Sequence, residues 1–188
     1  MKILVKTAGR SGSHIITDWL ANMHGFNVVL DEHYIPSNRV VVHSQLDFIP
    51  EDTEQWIFVN SKRRSLFDQA VSRHTGVFTK QWTEYKKVPK KNSIKYDFVT
   101  LLDNIGGIEA TNRYHDFLSS KYKWKSTHTF YYEDLKKDID ILKVLCNADT
   151  NFQQRKNTQS SPYNYSKIIK EYNKLKEKYN DYVQNTTR

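Results

Sequence analysis

Residues 2–20 read KILVKTAGRSGSHIITDWL, so a turn rich in glycine and serine joins an apolar run to an amphipathic stretch. The apolar run is typical of a buried strand, and the periodicity of residues 13–23 predicts a helix. A turn between a strand and a helix directs unpaired backbone N–H groups, together with the positive end of the helix, at one point. The sequence therefore predicts an anion-binding turn, in which Gly9 and Gly12 let the backbone close around a phosphate.

The side chains of this turn also suit an anion. Ser11 and Ser13 supply hydroxyl donors, and Arg10 supplies positive charge. His14 stands at the start of the predicted helix, where contact with a ligand and capping of the helix are equally open interpretations. The spacing differs from the ATP- and GTP-binding loop, which needs GxxxxGK followed by Ser or Thr. A plain strand-to-helix connection is the alternative interpretation of the turn taken alone.

Strand-like and helix-like patterns alternate along the rest of the chain. Short apolar runs predict five strands, at residues 2–6, 26–30, 39–43, 55–60 and 128–132. Longer periodic stretches predict helices at residues 13–23, 65–74, 97–121 and 134–146. This alternation predicts an α/β fold, with a mainly parallel five-stranded sheet flanked by helices. A last amphipathic helix, at about residues 163–184, is expected to pack on the domain, and the lysine-rich residues 80–95 are expected to form a loop.

Composition and charge limit the class of protein. The chain has 188 residues, which suit one domain over residues 1–188. Its 29 Lys and Arg exceed its 21 Asp and Glu and give a net charge of +8, which favours anionic partners unless the excess forms a solvated surface. The one cysteine, Cys146, excludes an internal disulfide and a thiolate metal cluster. The first residues fit neither a signal peptide nor a membrane span, so we expect a cytoplasmic protein with no membrane partner.

A second group of candidate residues follows the fourth predicted strand. Residues 60–74 read NSKRRSLFDQAVSRH, with Arg64 at the strand end and Ser72 eight residues later, about two helical turns along. An arginine and a serine in these positions suit a second phosphate. At this point the sequence resembles the sulfotransferases that use 3′-phosphoadenosine 5′-phosphosulfate (PAPS). Their 5′-phosphosulfate loop reads Lys or Arg, Ser, Gly, then Thr or Ser, and RSGS at residues 10–13 is similar to it. Their 3′-phosphate signature pairs an arginine with a serine eight positions on and often an aspartate midway, as do Arg64, Asp68 and Ser72.

Two further stretches extend the resemblance to about residue 138. VVVHSQLDFIP at residues 40–50 is similar to the family's third-strand segment, which implies that His43 is the catalytic base. FYYEDLKKD at residues 130–138 is similar to the family's YEDL element, which implies that Tyr132 lies against the adenine.

The chain departs from the family pattern at two positions. FQQRKNTQ resembles the Arg-Lys-Gly segment that closes over the 3′-phosphate, which implies that Arg155 and Lys156 bind it, although Asn157 replaces the glycine. Val41 stands where cytosolic members often have a lysine directed at the sulfonate.

The resemblance implies a three-layer fold like that of P-loop NTPases and the transfer of a sulfuryl group from PAPS to a hydroxyl or amine. The acceptor would be a small molecule or a saccharide, and the reaction would need no metal. Arg10 and His43 would be catalytic, and the residues expected to bind PAPS are Gly9, Arg10, Ser11, Gly12, Ser13, His14, Arg64, Ser72, Tyr132, Arg155 and Lys156.

Two other functions stay open. One is a P-loop kinase acting on a nucleotide or small molecule, although no lysine follows Gly12. The other is a non-catalytic domain that binds a nucleotide or nucleic acid, with nucleic acid the less favoured partner.

Overall fold

The computed structural model describes residues 1–9, 11, 13–24, 27–30, 36–44, 47–79, 97–134 and 165–186. The chain divides into two compact units, one of Met1–Leu66 with Gly107–Gln154, and one of Phe67–Gly106 with Arg155–Arg188. A single domain over the whole chain stays a prediction. The expected loop at residues 80–95 and residues 135–146 of an expected helix lie outside the described residues.

The first unit contains a five-stranded, all-parallel sheet, which confirms the predicted α/β class. Its strands are β1 (Lys2–Thr7), β2 (Asn27–Leu30), β3 (Val40–Ser44), β4 (Trp56–Lys62) and β5 (Ser126–Tyr131). They lie in the order β2-β3-β1-β4-β5. Each strand begins and ends within two residues of its prediction, because the β-branched and aromatic runs are also the segments that the fold buries.

Apolar side chains from alternate strand positions pack on both faces of this sheet. On one face, Val5 of β1 packs against Ile16 and Leu20 of helix α1 (Ser13–His24). On the other face, Leu4 belongs to a core that includes Leu118, near the end of helix α3 (Phe98–Lys121). The strands are therefore buried on both sides, as expected for a parallel sheet.

The strand order fixes where a ligand would bind in this unit. From β1 the chain passes through α1 to β2, which lies at one edge of the sheet. From β4 it passes to β5, which lies at the other edge. Because β1 and β4 are neighbours, the connections diverge at their carboxyl ends. In open α/β sheets a crevice forms at such a point, and ligands bind there.

The described residues of the second unit are almost all helical. It contains helix α2 (Leu66–Thr79) from Phe67 onward, the beginning of α3 and helix α4 (Tyr165–Thr186). Phe67 packs against Tyr172 and Tyr179 of α4, with ring centroids 5.5 and 5.2 Å apart, and the Tyr172 hydroxyl donates to Asp68. The predicted C-terminal helix thus exists and buries aromatic side chains within its own unit. None of the helices in the described ranges is long and apolar enough to cross a membrane.

Candidate functional site

The turn after β1 is closed by hydroxyl groups. Gly9 has a φ of 78°, in the left-handed region that favours glycine. Its N–H donates to Thr7 Oγ1 at 3.0 Å, and the hydroxyl oxygens of Thr7 and Ser11 lie 2.5 Å apart in the protein interior. The backbone conformation expected of Gly9 is therefore present, and its contact with a phosphate stays a prediction.

The same turn is attached to the end of β4. Ser11 Oγ donates to Ser61 Oγ at 3.0 Å, and Ser61 Oγ donates to the Ser11 carbonyl oxygen at 3.1 Å. If Thr7 donates to Ser11, each of the three hydroxyl protons has an acceptor. These bonds join the turn to the two strands whose carboxyl ends flank the expected crevice. Ser11 thus stabilises the turn, and its direct contact with a ligand stays a prediction.

Two predicted site residues, Ser13 and His43, are in direct contact. Ser13 begins α1, and His43 lies near the end of β3, in register with Val5 of the neighbouring β1. Ser13 Oγ and His43 Nε2 lie 2.8 Å apart. The side chains are almost fully buried, with exposed fractions of 3% and 2%. A hydroxyl expected to bind phosphate and an imidazole expected to accept a proton therefore share one hydrogen bond.

Arginines and acidic residues pair at the carboxyl ends of β4 and β5. The Arg64 N–H donates to Glu133 Oε2 at 3.1 Å, and its guanidinium pairs with the Asp134 carboxylate. The hydrogen bond from the Arg64 guanidinium to Asp134 raises the pKa of Arg64 above its ordinary value. The Arg64 guanidinium also lies 4.5 Å from the centre of the Tyr131 ring. The cation expected to bind the 3′-phosphate thus already has an anionic partner.

Tyr132, the residue expected to contact adenine, has a neighbouring cation of its own. The Arg63 guanidinium lies 4.3 Å from the centre of the Tyr132 ring. The ring is half-buried and also packs against the apolar core beneath α1. An adenine at Tyr132 would therefore share the ring with Arg63.

The structure tests none of the contacts predicted for the other site residues. Ser72 is half-buried on α2 in the second unit, so its pairing with Arg64 stays a prediction. His14 lies in the first turn of α1, and its side chain is outside the described part. Val41, at the position where cytosolic sulfotransferases often have a lysine, is fully buried in the core beneath α1. Four other candidates lie outside the described residues: Arg10, Gly12, Arg155 and Lys156.

The sequence did not predict a row of polar side chains on the face of the sheet opposite to His43. Ser44, Lys6 and Asn60 lie side by side on β3, β1 and β4, and each is at most 1% exposed. Lys6 Nζ donates to Ser44 Oγ at 2.7 Å, and Asn60 Nδ2 donates to Asp116 Oδ1 of α3 at 3.2 Å. We call Ser44, Lys6 and Asn60 the buried polar row. Its signal in the sequence is weak, because a lysine that ends an apolar run ordinarily marks the exposed end of a strand.

His115 of α3 is a buried imidazole whose charge is suppressed. It is 1% exposed, and burial, with a smaller effect of the Lys6 ammonium, lowers its pKa to about 4. Its Nδ1 is buried without a hydrogen-bond partner among the described residues. His115 is therefore neutral at physiological pH.

Comparison with known proteins assigns no family. No protein-family model, no curated protein and no solved structure matches this chain. Within the part that the structure describes, no three His, Cys, Asp or Glu side chains are grouped to hold a metal ion. The candidate site in the described residues is therefore the turn after β1 with the His43 imidazole bonded to Ser13. In proteins generally, turns of this kind bind anions and imidazoles accept protons, and both roles stay predictions for these residues.

Proposed function

We propose that this protein is a sulfotransferase that moves a sulfuryl group from PAPS to a hydroxyl or amine of a small-molecule or saccharide acceptor. One observation carries the proposal, the 2.8 Å hydrogen bond between Ser13 and His43. The resemblance assigns a phosphate contact to Ser13 and proton transfer to His43 from separate stretches of sequence. Their direct contact supports a common site.

The position of this pair in the sheet also supports the proposal. Ser13 follows a turn whose glycine has a positive φ, and His43 lies near the end of the strand next to β1. Ser61 holds the turn at the end of β4. A nucleotide at the turn would therefore bind where α/β sheets ordinarily bind ligands, which fits a fold like that of P-loop proteins.

The proposed reaction is an in-line displacement at sulfur. The acceptor oxygen or nitrogen forms a bond to sulfur as the bond from sulfur to the 5′-phosphate oxygen breaks. The products are the sulfated acceptor and 3′-phosphoadenosine 5′-phosphate. His43 takes the proton of the acceptor, while Arg10, Ser13 and the backbone N–H groups of the turn stabilise charge on the leaving phosphate.

The first test is calorimetric titration of the full chain with three nucleotides. We expect 3′-phosphoadenosine 5′-phosphate to bind more tightly than adenosine 5′-phosphate or ATP with magnesium, because Arg64 and Ser72 are predicted to recognise the 3′-phosphate. Arg64→Ala should remove most of this preference. Arg113→Ala, which deletes another exposed arginine in an ion pair, should leave it intact. Equal binding of the three nucleotides would contradict the proposal, and preference for ATP with magnesium would favour the kinase.

A second test separates an enzyme from a binding protein. With PAPS and an acceptor found by screening, His43→Ala should lower the transfer rate by about 10²- to 10⁴-fold, the usual contribution of a general base. Binding of 3′-phosphoadenosine 5′-phosphate should persist. Unchanged transfer would exclude His43 as the base, and nucleotide binding with no transfer to any acceptor would favour the non-catalytic domain.

A further inference from the structure

The hydrogen bond between Ser13 and His43 has a consequence that rests on the proposed function. A serine hydroxyl has one proton and can donate it to one acceptor at a time. If His43 Nε2 is unprotonated, as a base must be, the Ser13 proton is already donated to it across 2.8 Å. Ser13 then has no proton left for the 5′-phosphate, which accepts but does not donate hydrogen bonds when fully ionised.

His43 is subject to the same exclusion from its own side. Its imidazole is 2% exposed and its Nε2 lies against Ser13 Oγ, so an acceptor molecule has no free lone pair at Nε2 to bind. A hydrogen bond from Ser13 to the phosphate and direct proton transfer from the acceptor to Nε2 both require this bond to break.

We propose that Ser13 is a positioning residue that couples nucleotide binding to the catalytic base. In the ligand-free protein its hydroxyl donates to His43 Nε2. When the nucleotide binds, the hydroxyl rotates toward the 5′-phosphate and leaves the Nε2 lone pair to the acceptor. The charge of the phosphate favours this exchange, because hydrogen bonds to ionised acceptors are about twice as strong as bonds between neutral groups.

This coupling imposes an order on the reaction. The acceptor finds a usable base only after the nucleotide has bound, so productive acceptor binding follows nucleotide binding. Replacement of Ser13 by alanine removes the coupling. In that variant His43 Nε2 lacks its Ser13 partner whether or not nucleotide is bound.

The test is nitrogen NMR of histidine-labelled protein titrated with 3′-phosphoadenosine 5′-phosphate. In the wild type we expect the His43 Nε2 resonance to lose the signature of an accepted hydrogen bond as the nucleotide saturates the site. In Ser13→Ala the free protein should already lack the part of that signature due to Ser13, and nucleotide affinity should fall about fivefold, the net gain of exchanging a neutral acceptor for a charged one. Ser13→Thr, which keeps the hydroxyl, should restore both. The buried His115 resonance serves as an internal control, since its side chain lies on α3, across the sheet from α1.

Failure of this inference differs from failure of the proposed function. If calorimetry detects no binding of 3′-phosphoadenosine 5′-phosphate, the proposed function fails. If the nucleotide binds and His43 Nε2 keeps the same hydrogen-bond signature at saturation, the coupling is wrong while nucleotide binding stands. A protonated Nε2 in the free protein would also overturn it, because His43 would then donate the bond to Ser13.

Discussion

Arg64 shows how one charged contact can set the affinity for a ligand. Its guanidinium pairs with Asp134, and its N–H is bound by Glu133. A phosphate that binds Arg64 has to displace or tolerate the Asp134 carboxylate. Because the Arg64 side chain is 59% exposed, solvent and salt weaken its ion pair with Asp134. A phosphate can therefore replace the Asp134 carboxylate at a small cost in free energy.

Removal of the competing carboxylate should strengthen nucleotide binding. We expect Asp134→Asn to raise the affinity for 3′-phosphoadenosine 5′-phosphate by roughly three- to fivefold, the scale of an exposed ion pair, with little effect on adenosine 5′-phosphate. Titration calorimetry at low and high salt measures both affinities. Glu109→Gln, which breaks the exposed pair with Arg113, is the matched control. An unchanged affinity would mean that the 3′-phosphate does not bind at Arg64.

Some residue-scale contacts of the site could not be predicted from the sequence. Ser61 bonds to the turn because β4 lies beside β1, and only the strand order reveals that neighbour. Lys6 is likewise buried because β3 and β4 place Ser44 and Asn60 on either side of it. Ser13 could be predicted because it follows a recognisable strand and turn, whereas His43 is predicted from the resemblance of residues 40–50 to a sulfotransferase segment.

At the scale of elements, the local sequence pattern predicts where the strands and helices lie but not which strands pair. The five strands and helices α1, α2, α3 and α4 fall close to their expected positions, because apolar periodicity reports which face of an element is buried. Strand order depends on long-range packing, which leaves no local trace. The ends of helices are less well defined, and α2 continues to Thr79, beyond the expected end at residue 74.

Helix α3 contains two interior glycines that lower its stability and can be replaced. Gly106 and Gly107 lie adjacent in its middle, are exposed, and have open space where a Cβ would project. Glycine in a helix interior costs about 0.5–1 kcal/mol relative to alanine. We expect Gly106→Ala to raise the free energy of unfolding by about that amount, measured by chemical denaturation. Gly9→Ala is the opposite control, because a φ of 78° should make it destabilising. Destabilisation by Gly106→Ala would mean that the helix needs its glycine there.

At the scale of the whole molecule, the buried imidazole of His115 makes the stability of the fold sensitive to acid. Burial keeps His115 neutral until about pH 4, whereas its ordinary pKa is 6.5. The unfolded chain therefore binds a proton at this position more readily, and stability falls as the pH drops from 6.5 toward 4. Burial also lowers the pKa of His128, so this histidine adds to the loss of stability at low pH.

The acid sensitivity can be measured and assigned to one side chain. Between pH 7 and pH 4 we expect His115 alone to cost up to about 3 kcal/mol of folding free energy. Chemical denaturation at several pH values should show a shallower loss of stability for His115→Gln, by about one proton per molecule. His24→Gln, in the last turn of α1, is the control for removing a histidine. Equal pH slopes for wild type and His115→Gln would show that His115 is solvated in the folded protein.

The strand order also affects how the protein folds as it is synthesised. Lys2 of the central strand β1 pairs with Val40 and Trp56, so both partner strands of β1 are made long after β1 itself. Ile57 of β4 pairs with Ser126, so the outer partner of β4 is made later still. Until β5 leaves the ribosome, one edge of β4 has no neighbouring strand in this sheet. Such open apolar edges are where nascent chains aggregate or recruit chaperones, and sheets of this kind fold slowly. The rate at which the ribosome translates the segment between β4 and β5 therefore sets how long the nascent protein is exposed to that risk.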